Sequence, residues 1–418
     1  MLVTPLFNYT QQSHLHTFFW RFTHATPEER GIDDTFVPVS PVNTANAEMI
    51  KCVRKALSVE ETDPLFMVKV SEASDQYRAK YSAFLASPSG PARSFYVSRC
   101  FTASHHYPLG RGSRCFSAYD AVSKSIVLLK DIWRVNKYHP EAETYKRLHQ
   151  ASVPNVADVI AFNDVQGERH VAAVASIKSR KHQHYRIVLG QVGRPLKAFD
   201  STHQLTEAVL DAVCTHRRAY EDAKVLHRDV SMGNIILYQN QGWLIDWEIA
   251  RCVDEDKGPQ VPERMGTWQF LSLRVLDNPA VFHQPRDDLE SFVYVLLWIA
   301  GRYASPNATP AKRAFFLEQF DYEPLGAAFR KERLLHSGRS SLRFCGVKTA
   351  PFLKLLGDLA VWLMEAYNTD GDTQDHMLTY ELLIPKLTKA LDNEVWRSTY
   401  DRAFSFPVGY TDRVTSEE

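Results

Sequence analysis

Three polar residues in the stretch "HRDVSMGNIILYQNQGWLID" are spaced for chemistry. Asp229 is followed by Asn234, and Asp246 closes the stretch at the end of an apolar run. A carboxylate can orient a hydroxyl, while an amide oxygen and a second carboxylate can hold a divalent cation such as Mg²⁺. This set suits phosphoryl transfer, which depends on positioning and charge more than on covalent help. Asn234 and Asp246 are the candidate metal ligands, and Asp229 is the candidate base. His227 reads as packing beneath the loop rather than as a base.

The complementary groups lie upstream. "LGRGSRCF" carries Gly110, Arg111 and Gly112 between two predicted strands, where a glycine-rich loop can fold over phosphates. "SIVLLKDIW" ends a strand at Lys130, placed to reach the α- and β-phosphates beneath that loop. "EAETYKRL" then opens a helix whose Glu141 can pair with that lysine, with Glu143 as the fallback.

These residues need elements to hold them. From 96 to about 192 the chain reads as five or so short β-rich runs and one helix, "HPEAETYKRLHQAS". From about 200 onward helices dominate, among them "STHQLTEAVLDAVCTHRRAYEDA", "RDDLESFVYVLLWIAGRY" and "FLKLLGDLAVWLMEAYN". Residues 1–95 read as a separate N-terminal extension with two amphipathic helices, "NAEMIKCVRKALS" and "DQYRAKYSAFLAS", closed by the breaker "SPSGP". The basic cluster "KSRKHQHYR" (178–186) reads as a solvated hairpin loop.

Composition narrows the partners. The 418 residues carry 49 Lys plus Arg against 49 Asp plus Glu, so no net charge draws the chain to nucleic acid or an anionic membrane. Six scattered cysteines form no metal-binding or disulfide pattern and fit an intracellular setting, cytoplasmic or nuclear. The N-terminus does not read as a signal peptide. The longest apolar run, "FVYVLLWIA", is too short to span a bilayer and reads as a buried helix.

The order of glycine loop, strand lysine, helix glutamate, H-R-D-x-x-x-x-N loop and metal-binding aspartate resembles protein kinases. "GRGSRCF", "LLKDIWR", "LHRDVSMGNI", "LIDWEIA" and "GTWQFLSLRVL" are similar to the fungal-type protein-kinase family, and "RDDLESFVYVL" to casein-kinase-1 enzymes. The resemblance implies an α+β, bilobal protein-kinase-like fold. A small β-rich N-lobe would span 96–192, a larger helical C-lobe 193–410, and a tail 411–418. It further implies Leu189 as gatekeeper, Gly190 to Val192 facing adenine, Arg228 as a phosphate receiver, and Asp288 as an anchor for the catalytic loop. Protein substrates would dock at the loop around Gly266-Thr267, whose threonine braces Asp229.

Four departures from the kinase pattern bear on function. Ser231 stands where Ser/Thr kinases usually carry a lysine. The D-F-G triplet reads Asp246-Trp247-Glu248, which predicts a segment locked in one state. The A-P-E position reads Ser272-Leu273-Arg274, so the tying glutamate is gone and its charge reversed. Residues 246–266 hold no Ser, Thr or Tyr, and "DED" at 254–256 offers a permanent negative charge in place of a phosphate. Two other readings stand beside a Ser/Thr protein kinase: a phosphotransferase for small molecules resembling aminoglycoside and choline kinases, and a nucleotide-binding scaffold. The sequence leaves the oligomeric state open.

Overall fold

The computed structural model describes residues 13–26, 30, 32–39, 47–72, 91–102, 112–135, 139–165, 171–172, 182–254, 266–278, 280–321, 327–338, 342, 345–369 and 376–404. The chain divides into two compact units. One comprises residues 1–142 with 158–192, the other 143–157 with 193–418.

The first unit is built on an antiparallel sheet of eight strands. Helix α1 (His14–His24) buries none of its residues. Strand β1 (Phe36–Pro38) and helix α2 (Ala47–Leu57) follow, then β2 (Phe66–Ser71), β3 (Ala92–Val97), β4 (Arg114–Asp120), β5 (Ser125–Val135), β6 (Val159–Asp164), β7 (Val171–Ala172) and β8 (His182–Leu189). They run in the order β1-β2-β3-β4-β5-β8-β6, with β7 also on β8. Alternation along the strands puts Val68, Val70, Phe95, Val97, Phe116, Ala118, Val127, Leu129 and Val188 into one core. The sheet curls, since Glu72 just past β2 bridges to Ala161 of β6.

Two expectations change here. Residues 1–95 are not a separate helical piece: β1, β2 and part of β3 come from them and join the same sheet. The run "LFMVKV" was legible as a strand only beside its partners. Helix α2 does form, and it lays Ile50 and Val53 with Leu65 and Tyr96 in a second small core. The helix expected at 75–87 lies outside the described residues. The basic cluster is not simply a loop either. His182 to Arg186 run within β8, and His184 and Arg186 are buried; residues 178–181 lie outside the described residues.

Helix α3 (Glu141–Gln150) begins in the first unit and passes into the second. The second unit is mostly helical. Strand β9 (Arg194–Pro195) leads to α4 (Thr202–Glu221), capped by Ser201, whose hydroxyl accepts the Gln204 N–H at 3.1 Å. Strands β11 (Ile235–Tyr238) and β12 (Gln241–Leu244) form a hairpin. Gln239 and Asn240 turn it at φ 50° and 62°, as a two-residue hairpin requires. Gly242 packs on the α4 backbone so closely that a Cβ would lie 1.9 Å from the Ala208 carbonyl oxygen. Helices α5 (Leu273–Asp277), α6 (Pro285–Tyr303), α7 (Pro310–Asp321), α8 (Ala327–Ser337), α9 (Ala350–Tyr367), α10 (Tyr380–Leu391) and α11 (Glu394–Arg397) complete it. Helix α6 is buried continuously from Asp287 to Gly301, so it is a central helix with no solvent face. Among the described residues no helix is long and apolar enough to cross a membrane.

Candidate active site

In the second unit, strand β10 (Val225–Leu226) pairs with β13 (Arg251–Cys252) and delivers the chain into a loop held by backbone contacts. His227 is fully buried. Its Nδ1 accepts the Asp229 N–H at 3.2 Å and its Nε2 lies 2.9 Å from the Ile245 carbonyl. Burial lowers its pKa, so a neutral ring donating through Nε2 fits both contacts. The histidine is structural, as its position in the sequence suggests.

Arg228 adopts φ 73°, and its backbone N–H donates to Asp288 Oδ2 at 2.9 Å. Asp288 projects from α6 and is completely buried. His216 Nε2 and His283 Nε2 each lie 2.8 Å from it. Burial alone would raise this carboxyl; the His283 charge and the two histidine hydrogen bonds outweigh it and hold it well below the usual range. The anchor under the loop is therefore an aspartate clasped by two histidines.

Asp229 Oδ1 accepts two hydrogen bonds from Thr267, from the backbone N–H at 2.7 Å and from Oγ1 at 2.8 Å. Gly266 permits this. It sits at φ 114°, and a Cβ would meet Leu271 at 2.9 Å and the Arg228 carbonyl at 3.0 Å. Asn234 spends its amide N–H₂ on the Asp229 carbonyl at 2.8 Å, which leaves its oxygen as the group that can meet a cation. Asp246 follows β12 at φ 62°, and its carboxylate lies within 4.8 Å of that of Glu248.

Trp247 fixes the segment after Asp246. Its ring is fully buried and meets the His227 ring edge-on, centroids 4.6 Å apart. Its indole N–H donates to the Leu244 carbonyl at 3.1 Å. The residue after Asp246 is thus tied to the loop that carries His227 and Asp229.

In the first unit, Lys130 and Cys115 are cross-strand partners on β5 and β4. Lys130 Nζ donates to Glu141 Oε2 at 3.0 Å, and both side chains are buried. Glu141 therefore pairs with Lys130. Leu189 ends β8 in the core, opposite Leu128. Gly190 follows, its N–H donating to the Asp158 carbonyl at 2.9 Å. Val192 is 37% exposed, and the boundary between the units falls directly after it. Gly112 sits at φ 54° with the Trp133 indole beside it. Gly110 and Arg111 lie outside the described residues.

The lost A-P-E glutamate has a replacement that sequence reading missed. Arg274 forms an ion pair with Asp287 at the start of α6, Nε to Oδ1 3.2 Å. Ser272 Oγ donates to the same oxygen at 2.7 Å, and the Leu273 N–H donates to the buried Glu290 at 2.8 Å. The tie persists with its polarity exchanged. The signal was present as an arginine in the triplet and an extra acid in "RDDLES". Asp254, the described residue of "DED", pairs with Arg147, whose Nε also donates to the Ala223 carbonyl at 2.6 Å. The acid therefore engages α3; residues 255–256 lie outside the described residues.

The first unit thus carries a buried lysine–glutamate pair, and the second carries a loop with a braced aspartate, each as the kinase pattern has it. A family model described as fungal protein kinase matches residues 6–300, well over half of the chain. The chain belongs to that family, which implies a phosphotransferase. No curated protein matches the chain.

Proposed function

We propose that the protein is a Ser/Thr protein kinase acting with ATP and Mg²⁺. The observation that carries this reading is the double hydrogen bond from Thr267 to Asp229. It fastens the segment that would receive a peptide to the carboxylate that would orient the peptide hydroxyl. A small-molecule kinase has no need of such a tie.

In this reading Asp229 uses Oδ1 for Thr267 and offers Oδ2 to the substrate hydroxyl. Asn234 through its oxygen and Asp246 through its carboxylate would hold Mg²⁺, which when bound offsets charge on the transferring phosphate. Lys130, held by Glu141, would neutralise the α- and β-phosphates, and the backbone from Gly190 to Val192 would face adenine. Gly110, Arg111 and Gly112 would lie over the phosphates. Ser231 is buried and supplies no charge, so the second phosphate cation of ordinary Ser/Thr kinases is missing from that position.

The test is transfer of labelled phosphate from ATP to generic proteins, and separately to small alcohols and amines. Serine and threonine phosphorylation of protein, abolished by Asp229→Asn, is the expected result. Transfer only to small acceptors would replace this reading with the small-molecule one. Nucleotide binding without any transfer would leave a scaffold.

A further inference from the structure

The strand pair that carries Lys130 and follows the glycine loop is pinned from outside by a segment of the N-terminal region. Asp131, next to Lys130, is buried and faces two guanidinium groups and a histidine. His184 Nε2 lies 2.6 Å from Oδ1, Arg186 Nε donates to Oδ1 at 2.8 Å, and Arg114 Nε donates to Oδ2 at 2.9 Å. Arg114 is the second residue after Gly112 and the cross-strand partner of Asp131.

Residues 33–38 close this cluster. Asp33 Oδ2 accepts from Arg114 at 3.2 Å and from Arg186 at 3.1 Å. Thr35 Oγ1 accepts from Arg186 at 2.5 Å and donates to Asp33. Phe36 inserts its ring beside both guanidinium groups, 4.9 Å from that of Arg114 and 4.8 Å from that of Arg186. On the other side, Trp133 stacks on His184 at 4.9 Å and borders Gly112. A continuous set of contacts thus runs from Asp33 through Asp131 and His184 to the end of the glycine loop. The two arginines satisfy the carboxylates, so the cluster is an ionic lock and not a cation site.

We propose that Asp33, Thr35 and Phe36 are positioning residues for the nucleotide, acting through Arg114 and Asp131 on the glycine loop and Lys130. They touch no substrate. Their role is to hold the two strands in the register at which loop and lysine address one phosphate chain. This inference rests on the reading of the site as an ATP site.

The experiment titrates the full-length protein with a fluorescent ATP analogue and Mg²⁺. It compares Asp33→Ala, Phe36→Ala and the milder Thr35→Val with Asp200→Ala, which breaks an exposed ion pair with Arg194 in the other unit. Phe36→Tyr keeps the ring. The strap variants are expected to weaken nucleotide binding about tenfold, a typical coupling between distinct sites. They should raise the KM for ATP without raising that for peptide, and should speed amide exchange over Arg114–Asp120 but not over Pro285–Tyr303. Phe36→Tyr and Asp200→Ala should match the wild type. Wild-type nucleotide affinity in Thr35→Val and Phe36→Ala overturns the inference alone. A wild-type protein that binds no nucleotide overturns the site reading and, with it, this role.

Discussion

Arg274 and Asp287 meet as a largely buried ion pair between the segment after Gly266-Thr267 and the first turn of α6. The pair ties the segment at the A-P-E position to α6 through an arginine on the segment and an acid on the helix. Arg274→Ala removes the cation from an aspartate that is almost fully buried. Loss of about 3 kcal/mol is expected, because an uncompensated buried charge is costly. Denaturant unfolding measures it, and the KM for peptide should rise more than the KM for ATP.

Thr267→Ala removes one of the two hydrogen bonds to Asp229 Oδ1 while keeping the backbone one. A hydrogen bond to a charged group contributes about 1.5–3 kcal/mol, so kcat should fall roughly tenfold to hundredfold. Nucleotide affinity should not move. Steady-state kinetics and a separate binding titration read the two effects.

Trp247 is a load on which the loop rests. Trp247→Ala should cost about 3–5 kcal/mol as a core cavity and should lower activity by freeing Asp246. Trp247→Phe keeps most of the volume and loses only the bond to Leu244. Its stability should fall by about 1 kcal/mol, with most activity retained. A Phe variant as damaged as the Ala variant would remove the packing argument.

Residues 246–266 lack any hydroxyl that could be phosphorylated, and Asp254 is already paired with Arg147. Phosphatase-treated protein should therefore be as active as untreated protein. Asp254→Ala should be less active than either. Activity that appears only after an upstream kinase has acted would contradict this.

Asp131 predicts an acid limit. Burial raises its pKa, but the His184 hydrogen bond and the Arg186 and His184 charges outweigh burial and hold it below the ordinary aspartate value. The stability it contributes is present above about pH 4 and is lost as pH falls further, because the unfolded carboxyl binds its proton first. Unfolding midpoints of wild type and Asp131→Asn should differ most near neutrality and converge below about pH 4.

What sequence reading could reach is uneven for physical reasons. The Lys130–Glu141 pair and the Thr267 brace on Asp229 follow from residue type and order, because local chemistry constrains local spacing. The helix α6 and the β11–β12 hairpin follow from their apolar runs and turn residues. The membership of β1 and β2 in the sheet does not, because strand pairing is set by partners distant in the chain. Asp33 lies far in sequence from Arg186, and nothing local in "DDTF" announces that contact. The Arg274–Asp287 exchange is hidden for another reason. A reversed ion pair looks like a loss when only one partner is compared.

Strand β1 has only three residues and ends in Pro38, which has no N–H to offer a neighbour. It covers the outer edge of β2 from Phe66 to Val68, and the Glu72–Ala161 bridge covers the far end. The six residues of β2, "FMVKVS", would otherwise form an apolar, hydrogen-bond-hungry border open to other chains. Loss of residues 33–38 would therefore threaten colloidal behaviour before it threatened the fold, and a truncated protein should precipitate on concentration while still giving a native-like spectrum.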